Sequence, residues 1–112
     1  MLPAHLTPAE RAALKEFLSE ARAALGADLI EARLFGSRAR GEGTAESDVD
    51  VALVVTWADR GRRHALYDLA FDVGLRHGVS LAPLVLEQDR LEELRSRERL
   101  LAHDLDREGI PI

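Results

Sequence analysis

The chain has 112 residues and a mass of 12.4 kDa, the common size of one domain, with no room for a second substantial one. Apolar residues make up 46%, and a chain of this length buries roughly two-thirds of its unfolded surface, so an ordinary core forms without staples and a disordered chain is excluded. The absence of cysteine removes disulfide, zinc-thiolate and thiol chemistry, while 15 basic against 20 acidic residues (net −5) and 4% aromatics oppose general nucleic-acid binding.

The start of the chain, Met1-Leu2-Pro3-Ala4-His5, lacks the basic-then-apolar pattern of a signal peptide, and no apolar run approaches the roughly 20 residues of a membrane span. A cytoplasmic protein without membrane association is therefore expected. Thr7-Pro8-Ala9-Glu10 predicts a helix start, with a threonine cap, proline at the first helical position and glutamate placed to close a capping box. Leu14, Phe17, Leu18, Ala21 and Leu25 continue it at helical spacing up to Gly26. Residues 28–35 predict a half-buried strand with Ile30, Ala32 and Leu34 on one face and Leu29, Glu31, Arg33 and Phe35 on the other.

A glycine-rich segment, Gly36-Ser37-Arg38-Ala39-Arg40-Gly41-Glu42-Gly43, then leads through Ser47-Asp48-Val49-Asp50 into Val51-Ala52-Leu53-Val54-Val55. That run is apolar on both faces, which predicts an interior strand. Leu66, Leu69, Ala70 and Val73 mark a second helix from about Asp59 to His77, stopped by Gly78. A third strand is expected over 79–86, with Pro83 placing it at an edge or a bulge. A last helix over about 88–107 carries Leu91, Leu94, Leu101 and Leu105 on one stripe. The order predicts one α/β domain over 1–112, a short mixed sheet packed against helices.

Two features between the first and second strands point to chemistry. Gly36 ends an apolar strand and Ser37 follows at the turn, where backbone N–H groups and the hydroxyl make an anion cradle that a glycine lets a phosphate approach. It is neither a Walker loop nor a G-x-G-x-x-G fingerprint. Asp48 and Asp50 are two apart, so on a strand their carboxylates share a face with backbone positions about 6.6 Å apart. Such a pair suits Mg²⁺, which takes one or two carboxylates together with substrate phosphates. Cradle and carboxylates imply one substrate, a nucleoside triphosphate with its Mg²⁺.

Gly36-Ser37, ten residues, then Asp48-x-Asp50 resembles the DNA polymerase beta-like nucleotidyltransferase superfamily. The wording Leu34-Phe35-Gly36-Ser37-Arg38-Ala39-Arg40-Gly41, the small size and the ending Arg107-Glu108-Gly109-Ile110 are similar to its minimal branch, whose members are often antitoxin partners of HEPN-domain toxins. The resemblance implies a nucleotidyltransferase-like fold. It also implies that Gly36, Ser37, Arg38 and Ser47 bind the nucleotide, and that Asp48 and Asp50 are the catalytic, metal-binding carboxylates. ATP is then the nucleotide, Mg²⁺ the cofactor, and a hydroxyl on a HEPN partner the acceptor of AMP.

The superfamily's third catalytic carboxylate comes from a neighbouring strand. Here Ser80 stands where that aspartate is expected, Glu87 lies beyond the strand as drawn, and Asp72 falls on the preceding helix. A nucleotide-binding module that acts on its partner by binding alone is therefore the alternative. An antibiotic-modifying enzyme needs an acceptor domain that this length does not hold.

Plainer readings account for the remaining polar residues. His5, His64, His77 and His103 have no metal-ligand spacing. Arg60, Arg62 and Arg63 read as a solvated face, and Trp57 and Tyr67 as packing residues.

Overall fold

Thr7 starts the first helix by the reciprocal bonds its sequence predicts. Its hydroxyl accepts from the Glu10 N–H at 3.1 Å, and its own N–H donates to Glu10 Oε1 at 2.8 Å. With Pro8 behind this capping box, α1 runs over Pro8–Leu25. The computed structural model describes residues 2, 5–36, 48–96, 106, 107 and 109–112. Within these, a short 3-10 turn (Gly26–Asp28) leads into β1 (Leu29–Phe35), followed by β2 (Val49–Val55), α2 (Arg60–His77), β3 (Leu81–Glu87), α3 (Gln88–Ser96) and β4 (Ile110–Pro111).

The four strands form one mixed sheet in the order β3-β2-β1-β4. β1 runs antiparallel to both β2 and β4, and β2 runs parallel to β3, with α2 as the crossover that parallel neighbours require. β3 takes the edge that Pro83 calls for. β2 lies inside, and only Asp50 among its residues escapes full burial. No helix among the described residues is long and apolar enough to cross a membrane.

Alternation along the strands sends side chains to two cores. Val49, Val51, Leu53 and Val55 meet Leu14, Phe17 and Ala21 of α1 and Leu66, Ala70 and Val73 of α2. Each fully buried Leu or Phe of this layer contributes about 2–3 kcal/mol of transfer free energy. Ala52, Val54 and Leu86 face the other way, against Leu91 of α3, with Phe35, Leu84 and Leu94 at the margin. This second face ends at Asp50, and that is what positions the site.

Several local expectations change. A register shift between Leu29 and Glu31 inserts Ile30 as a bulge residue, so Ile30 is 41% exposed and Leu29 joins the main core. β3 ends one residue later than expected and includes Glu87. The last helix is described to Ser96, so Leu101 and Leu105 lie outside the described residues. The short β4, which pairs with Arg33 and Leu34, has no counterpart among the expected elements.

The arginine cluster is not simply a solvated face. Arg62 stacks 3.9 Å over Trp57 and donates to Asp28 Oδ2 at 3.1 Å, while Arg63 donates to the Val85 carbonyl. Trp57 packs on that guanidinium although exposed, and Tyr67 stands exposed on α2.

Asp28 ties β1 to the far end of β2. The Thr56 hydroxyl donates to its carboxylate at 2.7 Å, and this bond, together with Arg62, holds the Asp28 carboxyl below the usual carboxylate range. A carboxyl whose pKa is lower when folded adds stability that is fully present above its unfolded value of about 4 and is lost as the pH falls from there through the lower folded value. Asp28→Asn is therefore expected to melt below the wild type at pH 7, with the gap narrowing as the pH falls below about 4. A gap independent of pH in melting curves would refute this account.

Candidate active site

β1 stops at Phe35, and Gly36 turns the chain at a φ of +74°, a left-handed conformation that favours glycine. Phe35 is paired directly with Asp50 of β2. Asp48 sits exposed one residue before β2, and Asp50 is half-buried inside it. Extended geometry puts their side chains on the same face as Ala52 and Val54. The two carboxylates thus stand at the open end of the face that α3 covers.

The turn and the strand touch. A Cβ built on Gly36 would overlap Asp50 Oδ2 and come within 3.1 Å of its Cγ, so the Asp50 carboxylate lies against the backbone of the turn. No sequence signal couples these residues; only the antiparallel register brings them together. Gly36 therefore has a structural duty toward Asp50 beside the phosphate contact expected of it.

β3 supplies the other wall. The Val49 N–H donates to the Ser80 carbonyl at 2.8 Å, and the parallel register pairs Val49 with Leu81 and Asp50 with Ala82. Paired residues of adjacent strands share a face, so Ser80 and Ala82 flank Asp48 and Asp50, and neither carries a carboxyl group. Glu87 is no substitute, because it pairs with Val55 at the opposite end of β3, about 23 Å along the strand from Ser80, and lies 3.4 Å from Arg63. Asp72 is exposed on α2.

Among the described residues no three or more His, Cys, Asp or Glu side chains gather where they could hold a metal. Two carboxylate groups are a hard, incomplete oxygen set. That fits Mg²⁺, which keeps waters and takes its remaining ligands from phosphates, and does not fit a structural zinc site. Ser37, Arg38 and Ser47, the other residues expected in the site, lie outside the described residues, as does Arg40. Arg33, two positions along β1 from Phe35 on the same face, bonds Glu31 Oε1 at 3.1 Å.

Comparison with known proteins bears on the same arrangement. Residues 13–104 match the profile of the nucleotidyltransferase domain. Over 77 residues the chain is 36% identical to MJ1305 of Methanocaldococcus jannaschii, provisionally assigned as a protein adenylyltransferase. That match covers 66% of this chain and 52% of the relative, so the chain spans about half its length. Among solved structures, a mutant of the MntA-HpeT toxin-antitoxin pair superposes with a TM-score of 0.56 at 18% identity, covering 84% of this chain and 68% of that one. A protein from Sulfolobus solfataricus, provisionally assigned as a nucleotidyltransferase, gives 0.50 at 18% identity, covering 95% and 86%. At that identity the structural likenesses speak for the fold.

Proposed function

The chain belongs to the nucleotidyltransferase domain family, and from that premise we propose that it binds Mg²⁺ and ATP and transfers AMP to a hydroxyl of a partner protein. The observation that carries this reading is the Asp50 carboxylate lying against the backbone of the Gly36 turn, with Asp48 two residues before it, immediately ahead of β2. Asp48 and Asp50 would hold Mg²⁺, which when bound supplies positive charge to the phosphates. Gly36 leaves the turn open to close approach, and Ser37, Arg38 and Ser47 complete the nucleotide contacts in this reading. The acceptor oxygen attacks the α-phosphorus, the bond to the bridging oxygen breaks, and pyrophosphate leaves. Ser80 and Ala82 offer no carboxylate base, so the hydroxyl proton passes to solvent at this open edge.

An antitoxin role is part of the proposal. The MntA-HpeT neighbour is a toxin-antitoxin pair, and by analogy the acceptor here is a HEPN-domain toxin that modification silences. The cytoplasm supplies both ATP and Mg²⁺. The presence of Ser80 and Ala82 beside the carboxylates favours a second reading, in which the chain binds nucleotide and partner without transfer. Incubation with ATP labelled at the α-phosphate, Mg²⁺ and the purified HEPN partner separates the two. Label on the partner with wild type but not with Asp48→Asn supports transfer, whereas a stable unlabelled complex sinks it.

Ser80→Asp restores a third carboxylate beside Asp48. It is expected to raise the transfer rate roughly a hundred-fold, the lower end of what a positioned acid-base group supplies. An unchanged rate would remove Ser80 from the reacting end of the site.

A further inference from the structure

Tyr67, Phe71 and Leu75 recur every fourth residue of α2 and are 41%, 65% and 66% exposed. Side chains at that spacing line one stripe of a helix. The buried side of the same helix is already apolar through Leu66, Ala70 and Val73, so the stripe is surplus to the core. Three large apolar residues in one row on so small a domain mark an interaction surface.

A groove of about 350 Å³ runs along this stripe, with Phe71, Gly74 and Leu75 on one wall and Val79, Ser80 and Leu81 on the other. Gly74 makes it possible, since a Cβ there would overlap the Val79 carbonyl oxygen. Ser80, one of its wall residues, accepts from the Val49 N–H, so the groove opens at the end of β3 beside which Asp48 stands, with the carboxylates on the other face of the sheet. Exposed Asp68 and Asp72 stand 100° around the helix from Tyr67 and Phe71 and give its rim an acidic flank, while Arg76, at the same step from Leu75, is paired with Glu16 and Glu20.

We propose that this groove docks an amphipathic helix of the acceptor protein, apolar face against Phe71 and Leu75 and basic flank toward Asp68 and Asp72, so that the acceptor is held at the end of the sheet where Asp48 stands. The inference rests on Asp48 and Asp50 forming the transfer site. Helix-in-groove recognition uses an apolar anchor row of this kind, with charges at the rim choosing the partner. A second copy of the chain is a poor occupant. An isologous contact sets the same surface against itself, bringing Asp68 and Asp72 near their own counterparts in a chain of net charge −5.

The test uses two helical peptides of about 18 residues, long enough to span the stripe. Both carry the same Leu/Tyr face, one flanked by Lys and the other by Glu, and binding is read by fluorescence anisotropy. The Lys-flanked peptide should bind wild type saturably, and at least about ten-fold more weakly to Phe71→Asp and Leu75→Asp, as loss of an interface anchor does. The Glu-flanked peptide should bind wild type at least about ten-fold more weakly too, by charge repulsion at the rim. Both variants should keep Mg-ATP affinity, while Asp48→Asn should lose Mg-ATP and keep the peptide.

Undiminished peptide binding by Phe71→Asp, or no saturable binding to wild type, overturns the proposal. So does a wild-type dimer in sedimentation that Phe71→Asp dissolves, since the groove would then belong to a second copy. Wild type that binds the peptide but not Mg-ATP strikes the transfer site and leaves the docking surface standing.

Discussion

Asp48→Asn is expected to lower nucleotidyl transfer by about a thousand-fold or more, equivalent to ~4 kcal/mol of transition-state stabilisation. The substitution keeps the side chain's size and removes its charge, and a neutral amide is a far weaker ligand for a hard divalent cation. Asp48 is exposed and precedes β2, so no core contact is lost. Removing one of two like charges spaced about 6.6 Å apart along the backbone should leave the melting temperature of the metal-free protein unchanged or slightly higher. Single-turnover rates at rising Mg²⁺ concentration check the account. Part of the loss should be recovered as Mg²⁺ increases, and a variant within ten-fold of the wild-type rate throughout removes Asp48 from the metal site.

What the sequence revealed depended on how local the cause was. The capping box at Thr7 and Glu10 is a matter of four consecutive residues, and α1 begins where they say. The interior position of β2 follows from residues apolar on both faces, and the shared face of Asp48 and Asp50 from a period of two. The bulge at Ile30 was hidden, because counting by twos from Leu34 assigns Ile30 to the core. The strand is instead anchored at its start, where Thr56 and Arg62 hold Asp28, and the extra residue is absorbed between the anchor and the regular ladder. β4 is only two residues long and exists by pairing with β1, which leaves no periodic trace.

The same division runs through the site. The carboxylate pair was legible as a motif, and the register of β3 places Ser80 beside Asp48, as the resemblance had aligned it. The apolar row of Tyr67, Phe71 and Leu75 has no separate sequence signature, and Tyr67 reads there as a packing residue, because the core face of Leu66, Ala70 and Val73 already accounts for the helix. An amphipathic reading looks for one apolar face, and α2 carries two. That surplus becomes visible only when exposure is known.

The contact between Gly36 and Asp50 is the least local feature of the site, and Gly36→Ala tests it most directly. Alanine at a φ of +74° costs about 1 kcal/mol in backbone strain, and its methyl group would overlap Asp50 Oδ2. Either the turn opens or the carboxylate rotates away. The expected loss of stability is ~2 kcal/mol, a fall of roughly 10 °C in melting temperature. Transfer should drop by about a hundred-fold, since a displacement near 1 Å of a ligating group has that effect. Gly78→Ala supplies the control, because Gly78 also has a positive φ, +67°, in the left-handed region, yet a Cβ there meets nothing within 4 Å. It should carry the backbone cost alone, lowering the melting temperature by roughly 5 °C while transfer is retained. If the two variants lose stability equally and both keep transfer, the backbone conformation accounts for both effects, and the seating of Asp50 against the turn has no part in the chemistry.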